Sequence, residues 1–222
     1  MDKPTIIYFA ARGRAEIIRL ALAEAGVEWQ EHPIGKGTPP LGGRPTDFAA
    51  LKATGDLPYE AAPVWEEPGG LRLAQSAAIA YHVGRAHGLL GRTPLENARC
   101  DELWGAVEDL RLELRKIPNA APEKRAAVRE ELAAVSIPRW LGFLEKTVER
   151  NGSKEGFGAC DVLTVADLAL WYALELVRDN GLGASLPRFP RLSALFEKIA
   201  RRPRIAAYLA SPRRPAFVPL PR

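Results

Sequence analysis

Tyr8 closes the apolar run Thr5-Ile6-Ile7-Tyr8-Phe9 and stands just before Ala10-Ala11-Arg12-Gly13-Arg14, where a strand should give way to a helix. A phenol placed there, with a guanidinium six residues on and a helix N-terminus beside it, can bind an anion or hold a thiol as its thiolate. The alternative for Tyr8 is an ordinary strand-end aromatic with its hydroxyl in water. For Arg14 it is a solvated first-turn side chain or an ion pair with Glu16. A cation at a helix N-terminus is mildly unfavourable, so Arg14 invites an anionic partner.

The elements that must position this turn follow from the hydrophobic pattern. Residues 5–9 read as a strand, and Ile17, Ile18, Ala21, Leu22 and Ala25 repeat with helical spacing before a stop at Gly26. Val27 to Pro33 reads as a second strand, which makes a β-α-β unit with parallel strands. Gly35 to Pro45 is rich in turn formers and reads as a surface loop before a short helix at Phe48 to Lys52. Val64-Trp65 and Leu71-Arg72-Leu73 flank Glu66-Glu67-Pro68-Gly69-Gly70, which is hairpin chemistry and predicts an antiparallel pair. Gln75-Ser76 opens a helix through His87, with Ser76 as N-cap and Gly88 as stop.

Beyond Leu89 to Pro94 the pattern is entirely helical, with helices predicted at 95–117, 123–134, 139–150, 165–180, 191–202 and 204–210. Pro118, Pro138, Pro190 and Pro203 fall at the joints, where a missing amide hydrogen does least damage. Thr164-Val165-Ala166-Asp167 has the form of a capping box, read as purely structural. The division expected is therefore a mixed α/β domain over 1–88, a linker over 89–94 and an all-α domain over 95–222. The tail from Ser211 to Arg222, rich in Pro and Arg, either hangs loose or lays Phe217 and Val218 over a neighbouring cleft.

Composition narrows the function classes. With 222 residues, 47% of them hydrophobic, the chain has ample material for one or two buried cores. No stretch approaches the roughly 18 apolar residues needed to cross a bilayer, and Met1-Asp2-Lys3-Pro4 leads into a strand without a signal-peptide core. A cytoplasmic location without membrane partners is expected. Cys100 and Cys160 lack metal-type spacing and read as interior thiols, the first on a helix and the second in a loop. No metal is expected. The net charge of +4 is dispersed, so nucleic acid is not an expected partner, and Arg201-Arg202 and Arg213-Arg214 sit near helix ends where cations complement the dipole.

Five segments in order give the chain a likeness. They are Tyr8-Phe9-Ala10-Ala11-Arg12-Gly13-Arg14-Ala15-Glu16; Ala61-Ala62-Pro63-Val64; Leu73-Ala74-Gln75-Ser76-Ala77-Ala78-Ile79; Val107-Glu108-Asp109-Leu110; and Leu163-Thr164-Val165-Ala166-Asp167-Leu168. Over essentially its whole length the chain resembles the cytosolic glutathione transferases, in particular the tyrosine-type alpha, mu, pi and sigma classes. The resemblance implies an N-terminal thioredoxin-like domain followed by a C-terminal helical bundle domain, which agrees with the α/β-plus-all-α pattern above. It also implies that Tyr8 donates to the glutathione sulfur and that Arg14 assists. A thiol with a pKa near ~8.5 is only slightly ionised at neutral pH, and lowering that by about two units takes roughly 2.7 kcal/mol of preferential thiolate binding. One charge-assisted hydrogen bond supplies roughly 1.5 to 3 kcal/mol. A phenol, protonated at neutral pH, is a suitable donor.

Further roles are implied by the same resemblance. Ala62-Pro63 is read as a cis-proline turn whose Ala62 backbone binds the cysteinyl backbone of glutathione; the alternative is a trans proline at an edge strand. Gln75 and Ser76 at a helix start suit the γ-glutamyl carboxylate, beside the simpler reading of Ser76 as a cap. Lys52 matches a cation for the glycyl carboxylate, and Asp109 an acid that crosses a dimer interface; the alternative for each is a solvated charge. Phe48 stands where sigma- and pi-like members often carry a tryptophan donor, and Ala61 replaces the usual Gln or Lys, so two polar contacts are missing. Tyr59 aligns with the aromatic key of alpha-like dimers, or packs locally.

The hydrophobic electrophile pocket is expected between the domains, with Phe9, Trp104 and Phe217 as candidates, although Phe9 and Trp104 also suit a core. No serine or cysteine lies between Phe9 and Gly13 and there is no Cys-x-x-Cys pair, which argues against serine- or cysteine-type mechanisms and dithiol exchange. The expected activity is conjugation of glutathione, as co-substrate and without any permanently bound cofactor, to small hydrophobic electrophiles by a homodimer. The alternatives are a glutathione-dependent isomerase or peroxidase, or a noncatalytic binding protein of the same fold.

Overall fold

The computed structural model describes residues 3–35, 40 and 42–221. They form two compact units, one of the described residues up to 87 with 203–218 and one of residues 88–202 with the described residues from 219 on. Part of the predicted Gly35–Pro45 loop lies outside the described residues.

The first unit is built on a four-stranded sheet of order β2-β1-β3-β4, with β1 Thr5–Phe9, β2 Gln30–Ile34, β3 Val64–Glu66 and β4 Arg72–Ala74. β1 pairs parallel to β2 and antiparallel to β3, and β3 pairs antiparallel to β4. Ile6, Ile7 and Tyr8 are buried because β1 is a central strand, for which a continuous apolar run is the expected signature. Between β1 and β2 runs α1 (Glu16–Ala25), entered through a 3-10 turn over Gly13–Ala15. β2 begins later than the predicted Val27. Gly26, in the left-handed region, donates to Ala23 and Leu22, and Val27 donates to the Leu22 carbonyl, so these amides close the helix and cannot start a ladder. Pro33 is tolerated because β2 is an edge strand.

α2 (Phe48–Ala53) is capped by Asp47, whose side chain accepts from the Ala50 amide. Ile7, Ile34, Leu51, Leu57 and Val64 form a core cluster on which Phe48 packs. α3 (Ser76–His87) starts at Ser76, but Ser76 is its first helical residue and not its cap. The Ile79 amide bonds to the Gln75 carbonyl, which puts Gln75 at the cap position, with φ of 72°.

The second unit contains α4 (Pro94–Asn119), α5 (Arg125–Glu131), α6 (Ile137–Asn151), α7 (Val165–Asp179) and α8 (Pro190–Ala200), and no strand among its described residues. Two prolines expected at joints are not there. Pro118 lies inside the last turn of α4, where only the Leu114 carbonyl loses its partner and the Ala120 amide closes the end on Lys116 and Ile117. At Pro138 the chain does not break; a π-helical turn over Leu132–Ser136 joins α5 to α6 and widens the backbone where a proline ring would crowd the preceding turn.

By their contacts, the C-terminal helix α9 (Pro203–Leu209) and the chain to Val218 group with the first unit. Arg204 donates to the Glu24 carbonyl at 2.9 Å over Gly26, where any Cβ would overlap its guanidinium. Tyr208 packs edge-on to Trp29. Arg213 stacks 4.2 Å above Trp29, donates to its carbonyl and pairs with Glu28, and Arg214 pairs with Glu16. Arg213 and Arg214 therefore serve as side-chain ties, not as complements to a helix dipole.

Candidate functional site

Tyr8 sits in register with Pro33 of β2 at the end of β1, and its side chain is almost wholly buried. Its hydroxyl oxygen accepts the Arg14 amide at 2.8 Å. The phenolic proton is thus left to donate elsewhere. Gly13 makes this approach possible. Its φ of 46° lies in the left-handed region, and a Cβ built on it would overlap the Tyr8 hydroxyl and come within 2.9 Å of Cε1. The Arg14 guanidinium points to α3, with Nη1 at 3.4 Å from the Ser76 hydroxyl. Tyr8, Arg14 and Ser76 therefore converge, and Gln75 stands beside them with its left-handed backbone. The Ala62–Pro63 peptide is cis.

Phe9 is 38% exposed; its ring meets Tyr8 edge-on at 5.4 Å and Phe48 at 5.2 Å. Phe48 thus contributes packing and no hydrogen-bond donor. Lys52 pairs with Glu60 at 3.1 Å and lies 5.5 Å from the Phe48 ring, so its cation already has an acidic neighbour. Tyr59 is 78% exposed with φ of 57°, which sets aside local packing as its role. Phe217 is half-buried, with Arg12 5.5 Å above its ring. A cavity of about 360 Å³ opens beside Tyr8 within the first unit, between the end of β1, Pro33 and the chain at 212–216.

In the second unit, Trp104 is a buried residue of α4 and Asp109 an exposed one. Cys100, on α4, and Cys160, in a loop, are both free and buried. Burial pushes the Cys100 thiol up to about 11 and raises that of Cys160, the wrong direction for a nucleophile. Among the described residues no cluster of three or more His, Cys, Asp or Glu could hold a metal ion, and no helix is long and apolar enough to cross a membrane.

Beneath the site runs a set of buried charges that the hydrophobic pattern concealed. Arg19, 1% exposed, makes a two-pronged pair with Glu31 at 2.8 and 3.0 Å, donates to the carbonyls of Ala11 and Arg12, and lies 5.9 Å from the Tyr8 ring. It holds the turn that carries the Arg14 amide. Glu16, fully buried, accepts from Arg214 at 2.7 Å and from Tyr208 at 3.2 Å, and lies 3.5 Å from Arg19. Burial and the Glu16 charge both raise the Tyr208 phenol. The available signal was Glu16 and Arg19 set among Ile17, Ile18, Leu20, Ala21 and Leu22, where a charge on an apolar helix needs a partner.

Residues 4–85 fit the family model for the glutathione S-transferase N-terminal domain, and residues 108–212 that for the C-terminal domain. The chain is 33% identical to glutathione S-transferase P of Bos taurus over 96% of its own length and 94% of that protein's. It is 28% identical to S-crystallin 4 of Enteroctopus dofleini, covering 98% of this chain and all of that one. Its fold superposes on the crystal structure of the glutathione S-transferase from Ascaris lumbricoides with a TM-score of 0.76 at 28% identity, covering 94% of this chain and 96% of that one. The chain belongs to the glutathione S-transferase family, with an N-terminal thioredoxin-like domain and a helical C-terminal domain.

Proposed function

We propose that the chain binds glutathione at the end of β1, holds its sulfur as thiolate by a hydrogen bond from Tyr8, and transfers it to a small hydrophobic electrophile. The observation that carries this reading is the 2.8 Å bond from the Arg14 amide to the Tyr8 oxygen. An N–H pointed at that oxygen directs the phenolic proton outward and favours negative charge developing on it, so the O–H is a stronger donor toward sulfur. The buried Arg19 guanidinium lies 5.9 Å from the ring and, paired with Glu31, holds the turn that carries the Arg14 amide.

The tripeptide is read along the same surface. Arg14, Gln75 and Ser76 take the γ-glutamyl end, the Ala62 backbone beside Pro63 takes the cysteinyl backbone, and Lys52 takes the glycyl carboxylate in exchange for Glu60. Trp104 belongs to the helical core on this reading, while Phe9 and Phe217 remain with the electrophile. A second copy of the chain is the expected macromolecular partner, with Tyr59 inserted as key and Asp109 reaching across to the partner's glutathione. Two free buried thiols suit a reducing, cytoplasmic setting, and a detoxifying role follows from the broad electrophile class.

The alternative of a noncatalytic protein has its own observations: the side chains of Phe48 and Ala61 offer no polar group, and one relative of similar length is named a crystallin. Steady-state conjugation of glutathione to a one-ring aryl chloride separates the readings. We expect turnover, and a fall in kcat/KM of about tenfold to a hundredfold for Tyr8→Phe, corresponding to one charge-assisted hydrogen bond of roughly 1.5 to 3 kcal/mol. Glutathione binding without turnover would favour the noncatalytic protein.

A further inference from the structure

We infer that Arg214 and Glu16 are positioning residues that fasten the C-terminal strap 212–216 as a wall of the cavity beside Tyr8, limiting the size of the electrophile it admits. This rests on the reading in which Tyr8 activates glutathione for conjugation.

The wall is irregular chain and needs fastening. The strap at 212–216 lines one side of the cavity, and Tyr8, Phe9, Ala10 and Pro33 line the other, with Arg19 and Glu31 as its charged lining there. Two prolines stiffen the strap but remove amide donors, so sheet or helix bonding cannot hold it. Side chains hold it instead. Arg214 Nε donates to Glu16 Oε1 at 2.7 Å, with the two side chains 8% and 0% exposed. Arg12 Nε donates to the Pro215 carbonyl at 3.1 Å, and Arg213 to the Trp29 carbonyl at 2.9 Å.

The buried pair is the strongest of these ties. An ion pair out of water holds one geometry, and removing a single partner strands a charge. Glu16 also has Tyr208 and Arg19 on its other oxygen, so its own position is fixed from the helix side. Because Glu16 is the first residue of α1, the strap is tied to the helix whose entry turn carries the Arg14 amide on Tyr8. Wall and phenol therefore share one foundation. The cavity, about 360 Å³ and open to solvent on one side, is near the small end of ligand pockets, which span roughly 300–1,000 Å³.

The test compares a one-ring and a two-ring aryl electrophile in the native protein and in a double variant, Glu16→Gln with Arg214→Met, which removes the tie without leaving a stranded carboxylate. We expect kcat/KM for the two-ring substrate relative to the one-ring substrate to rise about tenfold, within the range by which apolar pocket shape discriminates. KM for glutathione should stay within about twofold, and Arg214→Lys should restore most of the native ratio. An unchanged ratio in a folded, active variant overturns the assignment, as does a parallel rise in KM for glutathione and both electrophiles. If the double variant does not fold, Arg12→Met, which releases Pro215 from a half-buried side chain, must shift the ratio in the same direction or the assignment fails. Absence of conjugation by the native protein would instead overturn the underlying reading.

Discussion

Gly13 limits what can stand opposite the phenol. Replacing it by alanine would demand φ of 46° from a residue with a Cβ and place that carbon on the Tyr8 hydroxyl, so either the ring or the turn must move. Displacing a reacting group by about 1 Å can cost on the order of a hundredfold. We predict that Gly13→Ala lowers kcat/KM for conjugation by about that factor while circular dichroism reports a folded chain. At this scale the sequence was informative about residue types and less so about atoms. Tyr8 and Arg14 stood out by kind and spacing, yet the group that meets the phenol is the Arg14 amide, which every residue but proline possesses. The guanidinium reaches Ser76 instead, 62 positions away. Gly13 itself had no visible role, because the need for a bare Cα arises only once Tyr8 folds back over it.

Elements with strong local signals were legible, and their ends followed from chemistry that pattern alone does not rank. The capping box at α7 is present as read: the Thr164 amide and hydroxyl bond to Asp167 Oδ2 at 2.8 and 2.6 Å, and the Gly158 amide to Oδ1. A similar box, Thr93-Pro94-Leu95-Glu96, starts α4 and was equally available to inspection. Misplaced boundaries arose where a neighbour claimed the amides, as at Val27, or where a helix absorbed a proline, as at Pro118 and Pro138. Asp167 also gives α7 a pH signature. Burial raises its carboxyl from 3.8 to about 6, so the folded chain keeps a proton that an unfolded aspartate would lose. That contribution to stability is whole below about pH 3.8 and is lost as pH rises to about 6. We predict that urea melts of native protein and Asp167→Asn, taken between these limits, show the native chain losing ground to the variant by up to about 1.4 kcal/mol per pH unit. A constant difference across the window would show that Asp167 does not titrate there.

At the scale of the molecule, the division into α/β and all-α parts was visible in the change of periodicity, but the contacts of the C-terminal segment were not. The ties that bring residues 203–218 to the first unit join Arg213 to Glu28 and Arg214 to Glu16, across 185 and 198 positions. Separations of that size leave no trace in a local window. Tyr59 is the matching feature on the outside. A 78% exposed aromatic with a left-handed backbone has little reason to be held there within one chain. On the proposed homodimer it is an anchor, and buried interface aromatics commonly contribute 2 kcal/mol or more, about thirtyfold or more in affinity. Sedimentation velocity should show Tyr59→Ala shifting toward monomer at concentrations where the native chain is dimeric. The central claim is tested most directly by titrating the ultraviolet absorbance of glutathione thiolate bound to the native protein and to Tyr8→Phe. Half-ionisation about two units below the free thiol's ~8.5 in the native complex, returning toward ~8.5 in the variant, is the result expected. Bound glutathione that ionises near ~8.5 in the native protein would contradict it.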